Sequence, residues 1–110
     1  MRRILPWLAT LSLVVLLLFA PTTAGAQGKT ATVSIKNFAF NPPNITVAPG
    51  TKVTWVNNDQ TAHTVTANNG AYDSGTLQPG QRYSHTYKPG TYAYHCEIHP
   101  SMKGTVTVHR

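Results

Sequence analysis

Cysteine and acidic residues are scarce in this 110-residue sequence, which has one Cys and three Asp or Glu against nine Lys or Arg. A single cysteine cannot form a disulfide within the chain, so the internal cystines that stabilise many small exported domains are excluded. The basic residues are scattered, and no basic run or interleaved aromatic platform indicates nucleic-acid binding. The positive charge therefore predicts a solvated surface, with docking to an acidic protein partner as the alternative.

The longest hydrophobic run lies at the N-terminus, where the first 26 residues have the organisation of a secretory signal. Two arginines precede an apolar stretch over residues 7–20, and the small residues Ala24-Gly25-Ala26 form a cleavage site. The apolar stretch is short for a membrane-spanning helix, which needs about 20 residues; an uncleaved anchor is the alternative. We expect export to the periplasm or the cell exterior, by a route that the paired arginines leave open.

Cleavage after Ala26 leaves residues 27–110, enough for a single small domain with a net charge of +4. Cys96 is then the only Cys of the chain and Met102 the only Met. A domain of this size has a modest core, and a free thiol in an oxidising compartment is reactive unless it is buried or bound. Composition therefore favours a bound metal.

Helical spacing of apolar residues is absent after residue 26. Short β-rich runs alternate with turn signals instead: TVSIKNF, ITV, TKVTWV, AHTVTA, QRYSHTY, TYAYHC and KGTVTV. Pro49-Gly50, for example, separates two runs in which apolar residues recur at every second position. About eight short strands at spacings of roughly 8–12 residues predict an all-β fold, a Greek-key β-sandwich. We expect Trp55 and Tyr94 in its core.

The segment YAYHCEIHPSMKG, residues 92–104, places a thiol, an imidazole and a thioether at intervals of three: Cys96, His99 and Met102. Cys96 ends a predicted strand, so the loop after it can direct these side chains into one end of the sandwich. Thiolate and imidazole suit zinc and copper, and the thioether favours copper. A trigonal copper site with one Cys, two His and a weak axial Met needs a second histidine. His63 follows a polar turn and is the candidate.

These residues, together with PPNITVAPGTKVTWVNND upstream, resemble the cupredoxin family, and within it the plastocyanin and amicyanin group of small blue copper proteins. The resemblance extends over about residues 30–110, and the C-x-x-H-x-x-M spacing is the compact form seen in amicyanin. It implies one copper ion per chain, with His63, Cys96 and His99 as in-plane ligands and Met102 as the axial ligand.

One position departs from the family pattern. Family members commonly carry Asn directly after the first His ligand, where its side chain helps to tie the two ligand loops together. Thr64 stands there in this chain. A hydroxyl can donate a similar bond, and a looser set of hydrogen bonds around the ligands is the alternative.

Three other histidines are not expected to bind the metal. Strand alternation points His95 to the opposite face from Cys96. His85 and His109 lack a partner ligand in or beside their strands, and we expect both at the surface. Glu97, next to Cys96, is expected to be a solvated charge and not a general base.

The function that follows from the resemblance is one-electron transfer by copper cycling between Cu(I) and Cu(II), with no enzymatic activity. In the family, electrons pass through the exposed edge of the C-terminal His ligand, here His99. A redox protein, either a dehydrogenase or a cytochrome, is therefore expected to dock there transiently, beside Pro100. We expect the carrier to be a monomer with no membrane span once its signal is removed.

Two other classes of function are the alternatives. A copper-delivery or copper-storage protein would need exchangeable ligands, and a single thiolate in a strand-end loop argues against rapid exchange. An enzyme with a Cys–His nucleophile would need an open cleft and an oxyanion site, for which the sequence has no indication.

Overall fold

Eight strands make up the regular structure of residues 29–110, the part of the chain that this computed structural model describes. They are β1 (Thr30–Lys36), β2 (Ala39–Asn41), β3 (Asn44–Val47), β4 (Lys52–Asn57), β5 (Thr66–Ala67), β6 (Arg82–Thr86), β7 (Gly90–His95) and β8 (Lys103–Val108). Within this range no helix is long and apolar enough to cross a bilayer. The expected signal segment, residues 1–26, lies outside the described residues.

The strands form two four-stranded sheets, in the orders β2-β1-β4-β6 and β3-β8-β7-β5. Both sheets are mixed: β1 runs parallel to β4 and β3 runs parallel to β8, whereas the other neighbouring strands are antiparallel. The chain therefore passes repeatedly from one sheet to the other. The predicted all-β sandwich is confirmed.

Alternating side chains of the two sheets fill the space between them. In β4 the buried residues include Val53 and Trp55, and in β8 they include Val106 and Val108. The ring of Tyr94 meets that of Trp55 almost at a right angle, with centroids 5.3 Å apart. Burial raises the pKa of Tyr94 to about 12. The expectation that Trp55 and Tyr94 lie in the core is confirmed.

The first reversal of the chain was not visible in the sequence, where β1 and the turn after it were interpreted as one run. The chain turns at Asn37 and Phe38, which have positive φ angles of 53° and 56°. Asn tolerates this conformation, whereas an aromatic residue rarely adopts it. The carboxylate of Asp59 accepts the backbone N–H of Asn37 at 3.1 Å and that of Phe38 at 3.0 Å. This turn therefore depends on a residue far along the chain.

Residues 63–67, expected to form a strand, contain only the two-residue strand β5. All five side chains are buried, so the segment has no exposed face and no alternation. On one side, His63 exchanges backbone hydrogen bonds with Leu77, and Ser74 N–H donates to the carbonyl of Val65. On the other side, β5 pairs with β7. This enclosed segment carries His63 to the end of the sandwich where β7 finishes.

Candidate metal centre

Three of the residues singled out in the sequence converge at one end of the sandwich. Cys96 follows β7 directly, His99 lies in the loop between β7 and β8, and His63 lies between β4 and β5. The Sγ atom of Cys96 is 3.7 Å from Nδ1 of His63 and 3.7 Å from Nδ1 of His99. The donor atoms of all three residues lie within 4.8 Å of one another. Cys96 and His63 are fully buried and His99 is half-buried.

The spacing of these donors fits a metal ion. Nitrogen and sulfur ligands bind at about 2.0 and 2.3 Å, so in a trigonal plane they lie roughly 3.7 Å apart. The distance from Sγ to each Nδ1 in the structure has this value. One thiolate and two imidazoles are also the donor types of trigonal copper sites. Both the geometry and the chemistry of the donor set therefore agree with copper.

Met102 belongs to the same compact loop and is buried, with 4% of its surface exposed. Backbone hydrogen bonds close the loop: Cys96 N–H donates to the carbonyl of Met102 at 3.1 Å, and Met102 N–H donates to that of His99 at 2.9 Å. The role of Met102 as an axial ligand stays a prediction, as do the roles of the other three residues.

Asp59 fixes the orientation of the His63 ring, with its Oδ2 atom 2.8 Å from Nε2. The backbone N–H of Phe38, followed by the bond to His63, holds the pKa of Asp59 below its ordinary value. An ionised carboxylate only accepts hydrogen bonds, so Nε2 donates. In the neutral ring Nδ1 therefore keeps its lone pair and faces Cys96, as a metal ligand would.

Asn57, the last residue of β4, organises the loop that leads to His63. Its side-chain amide donates to the carbonyls of Thr61 at 2.9 Å and Leu77 at 2.8 Å. Its Oδ1 atom accepts the N–H of Asp59 at 3.0 Å. The residue is completely buried, so these bonds stabilise the loop in an environment without competing water.

Phe38 covers the metal centre from the outside, a role that nothing in the sequence indicated. Its ring stands nearly perpendicular to the rings of His99 and His63, with centroids 4.9 and 5.5 Å apart. Asp59 was missed as well, although its place four residues before His63 in a polar turn was a usable signal. An isolated aromatic residue has no such signal, because its position depends on the turn that Asp59 holds.

Thr64 ties the two ligand loops together. Its hydroxyl accepts the backbone N–H of Glu97 at 2.8 Å, and its own backbone N–H donates to Cys96 Sγ at 3.3 Å. The connection expected from an Asn at this position is therefore present in this chain. However, the Thr64 hydroxyl accepts the hydrogen bond that makes this connection, whereas it was expected to donate it.

The remaining histidines lie outside the donor group. His95 faces away from it, as expected, with Nδ1 2.6 Å from Oδ1 of Asn68 and Nε2 2.7 Å from Oε2 of the exposed Glu97. His109 is exposed, as expected. His85, which was expected at the surface, is half-buried and stacks on Tyr72 with ring centroids 4.3 Å apart, and burial lowers its pKa.

The family model for the cupredoxin-like domain matches residues 9–108. The chain belongs to the cupredoxin-like family. Amicyanin-alpha of Methylorubrum extorquens is 36% identical over 82 residues, which cover 69% of this chain and 69% of that protein. Plastocyanin of Scenedesmus fuscus is 36% identical over 83 residues, covering 63% of this chain and 85% of that protein.

Solved structures of cupredoxins resemble this fold closely. A purple cupredoxin from Nitrosopumilus maritimus has a TM-score of 0.66 at 31% identity, covering 71% of this chain and 98% of that one. A variant of amicyanin in its Cu(I) form has a TM-score of 0.67 at 30% identity, covering 72% of this chain and 81% of that one. The predicted resemblance is confirmed, and one copper ion is the cofactor for which this cupredoxin-like chain has donors in place.

Proposed function

We propose that this protein is an exported one-electron carrier of the periplasm or cell exterior, and that His63, Cys96, His99 and Met102 hold its copper ion. The observation that carries the proposal is the buried donor set, in which the Cys96 sulfur lies 3.7 Å from two imidazole nitrogens. Copper in this set would supply a centre that gains and loses one electron. Kinship with amicyanin, of which a variant is described in its Cu(I) form, supports the choice of metal.

The chain's own contribution is a rigid, closed donor set. Asp59 holds the His63 ring at 2.8 Å, and the Thr64 N–H holds the Cys96 sulfur at 3.3 Å. Backbone bonds close the loop from Cys96 to Met102. Because these side chains are fixed by their neighbours, little has to move when the charge of the centre changes by one electron. This favours electron transfer over copper delivery, which needs exchangeable ligands, and over nucleophilic catalysis, which needs an accessible thiol.

The surface around His99 supports transient docking of a redox protein. Phe38 and Ile98, the exposed large hydrophobic residues among those described, are 53% and 46% exposed. Ile98 is the chain neighbour of His99, and Phe38 contacts its ring. An apolar patch of this kind is typical of an interaction site. A dehydrogenase or a cytochrome that covers the patch would bring its redox group close to His99.

Titration of the purified protein with Cu(II), followed by visible absorption and EPR, tests the proposal. We expect saturation at one copper per chain and an intense blue or green colour from thiolate-to-copper charge transfer. A colourless, weakly absorbing adduct would contradict the proposed site. Complete removal of the copper by a mild chelator within minutes would favour a delivery or storage protein instead.

Met102→Gln should lower the reduction potential without releasing the copper. The soft thioether favours Cu(I), whereas the harder amide oxygen favours Cu(II), and the three in-plane donors supply most of the affinity. Voltammetry measures the potential, and metal analysis after dialysis measures retention. If the potential were unchanged or raised, Met102 would not be the axial ligand.

A further inference from the structure

A row of buried hydroxyl groups leads away from the metal centre. The hydroxyl oxygen of Thr64 lies 2.9 Å from that of Thr66, which in turn lies 3.2 Å from Oδ1 of Asp73. The two threonines are 5% and 6% exposed, whereas Asp73 is at the surface. The row therefore connects the loop of one candidate ligand to a charged residue outside the centre.

Asp73 determines which group donates and which accepts in each hydrogen bond of this row. An ionised carboxylate only accepts hydrogen bonds, so Thr66 donates its one hydroxyl proton to Asp73. Thr66 must then accept from Thr64, and Thr64 accepts in turn from the backbone N–H of Glu97 at 2.8 Å. Asp73 is held in place by the N–H of Gly75, which donates to Oδ1 at 2.8 Å. Each hydroxyl is both donor and acceptor, an arrangement in which consecutive bonds strengthen one another.

Thr64 links this row to the sulfur of Cys96. Its hydroxyl binds the Cys96–Met102 loop through Glu97, while its backbone N–H donates to Sγ at 3.3 Å. Both bonds come from one buried residue, so a turn of the hydroxyl away from Glu97 loosens the contact between the two loops. Hydrogen bonding at the Cys sulfur is one of the features that tune the potential of a copper–thiolate site.

We propose that Thr66 and Asp73 are positioning residues for the metal centre. They orient the Thr64 hydroxyl towards Glu97, and this orientation keeps the Thr64 N–H on the Cys96 sulfur. The expected effect of these residues on the reduction potential rests on the proposed copper site. The loop connection itself is measurable without metal.

Thr66→Val removes the middle hydroxyl and retains the shape of the side chain. The buried Thr64 hydroxyl then has no acceptor in the row, and rotation of the whole Thr64 side chain about its Cα–Cβ bond, which brings the hydroxyl to another acceptor, takes its oxygen away from Glu97. In the metal-free protein we expect the backbone amide hydrogen of Glu97 to exchange with solvent about fivefold faster, because the loss of one hydrogen bond of ordinary strength changes an equilibrium by about this factor. In the copper-loaded protein the potential should fall, because a weaker bond to sulfur stabilises the electron-rich reduced state less.

Two variants serve as controls. Thr66→Ser keeps the hydroxyl and should restore both the exchange rate and the potential. Thr54→Val removes an exposed bond between two hydroxyl groups, to Ser84 at 2.8 Å, in the sheet that does not contain β7; it should change neither quantity. Equal effects of Thr66→Val and Thr66→Ser would show that the loss does not depend on the hydroxyl, and would overturn the proposal. So would a Thr66→Val protein that behaves like Thr54→Val.

Asp73 is tested by its own pair of variants. Asp73→Asn keeps an oxygen that accepts from both Thr66 and Gly75, whereas Asp73→Ala removes it. We expect Asp73→Ala to reproduce the effects of Thr66→Val and Asp73→Asn to stay near the unchanged protein. Because Asp73 is exposed, this pair also decides the proposal if Thr66→Val does not fold. Normal Glu97 exchange and a normal potential in Asp73→Ala would overturn it.

The two readouts separate this proposal from the proposed function. If the unchanged protein forms no coloured copper site while Thr66→Val still accelerates exchange at Glu97, the function fails and the loop connection is supported. If the copper site forms and neither readout responds to Thr66→Val, the function stands and the positioning role is overturned.

Discussion

Cys96→Ala is expected to abolish the intense visible absorption of the copper-loaded protein. The colour requires charge transfer from a thiolate to Cu(II), and Cys96 is the only thiol in the chain. Its sulfur is buried between the Nδ1 atoms of His63 and His99, so no other side chain can take its place. Absorption and EPR spectra of the variant after addition of Cu(II) measure the loss.

His95→Ala is the matched control for this experiment. His95 is the chain neighbour of Cys96, but its ring nitrogens face Asn68 and Glu97, 2.6 and 2.7 Å away. Removing its imidazole should leave the absorption nearly intact. Bleaching of the His95→Ala protein, or an intense band that persisted in Cys96→Ala, would show that the donor set is different from the one proposed.

Gly104→Ala should destabilise the fold strongly through the core below the metal centre. Gly104 in β8 lies directly opposite Tyr94 in β7, and the Tyr94 ring packs over it. A Cβ at position 104 would approach Cε2 of that ring to 2.8 Å and lie closer still to Cζ and Oη. Overpacking of a core costs about 1–3 kcal/mol, and each kcal/mol lowers the Tm of a small domain by about 4–8 °C. Thermal unfolding of the metal-free protein measures this loss.

A double-mutant cycle isolates the contact between these two residues. In a Tyr94→Ala protein, which already lacks the ring, the further change Gly104→Ala should lower the Tm very little. If the second substitution were as costly in that background as in the unchanged protein, the loss would arise from the strand backbone. The explanation by overlap with the Tyr94 ring would then be wrong.

The strands could be predicted where one face of a sheet is buried and the other is not. In β4 and β8 every second residue is buried, and this alternation is visible in the sequence as the apolar residues that end in Trp55 and Val108. The same reasoning overestimated the strand at residues 63–67. That segment is buried on all sides, so the alternation of Thr and apolar residues in its sequence does not correspond to an alternation of exposed and buried side chains.

The candidate donors could be found because most of them are local in the chain. Cys96, His99 and Met102 lie within one short loop, and their spacing alone limits the metals that suit them. His63 was identified from its position after a polar turn. The stacking of His85 on Tyr72 could not be found in this way, because the aromatic ring that packs on it comes from a different segment.

The sequence alone determined which donor types are available, the compact loop that carries three of them, and the alternation that builds a sandwich. Only the tertiary structure decided how the donors are oriented. Asp59 holds a turn 21 residues before it, and the Thr64 hydroxyl binds an amide 33 residues after it. Local patterns cannot predict such bonds, because a short polar side chain suits solvent as well as a buried partner. Its partner is set by the order of strands in the sheets, where neighbours in space are often distant in the chain.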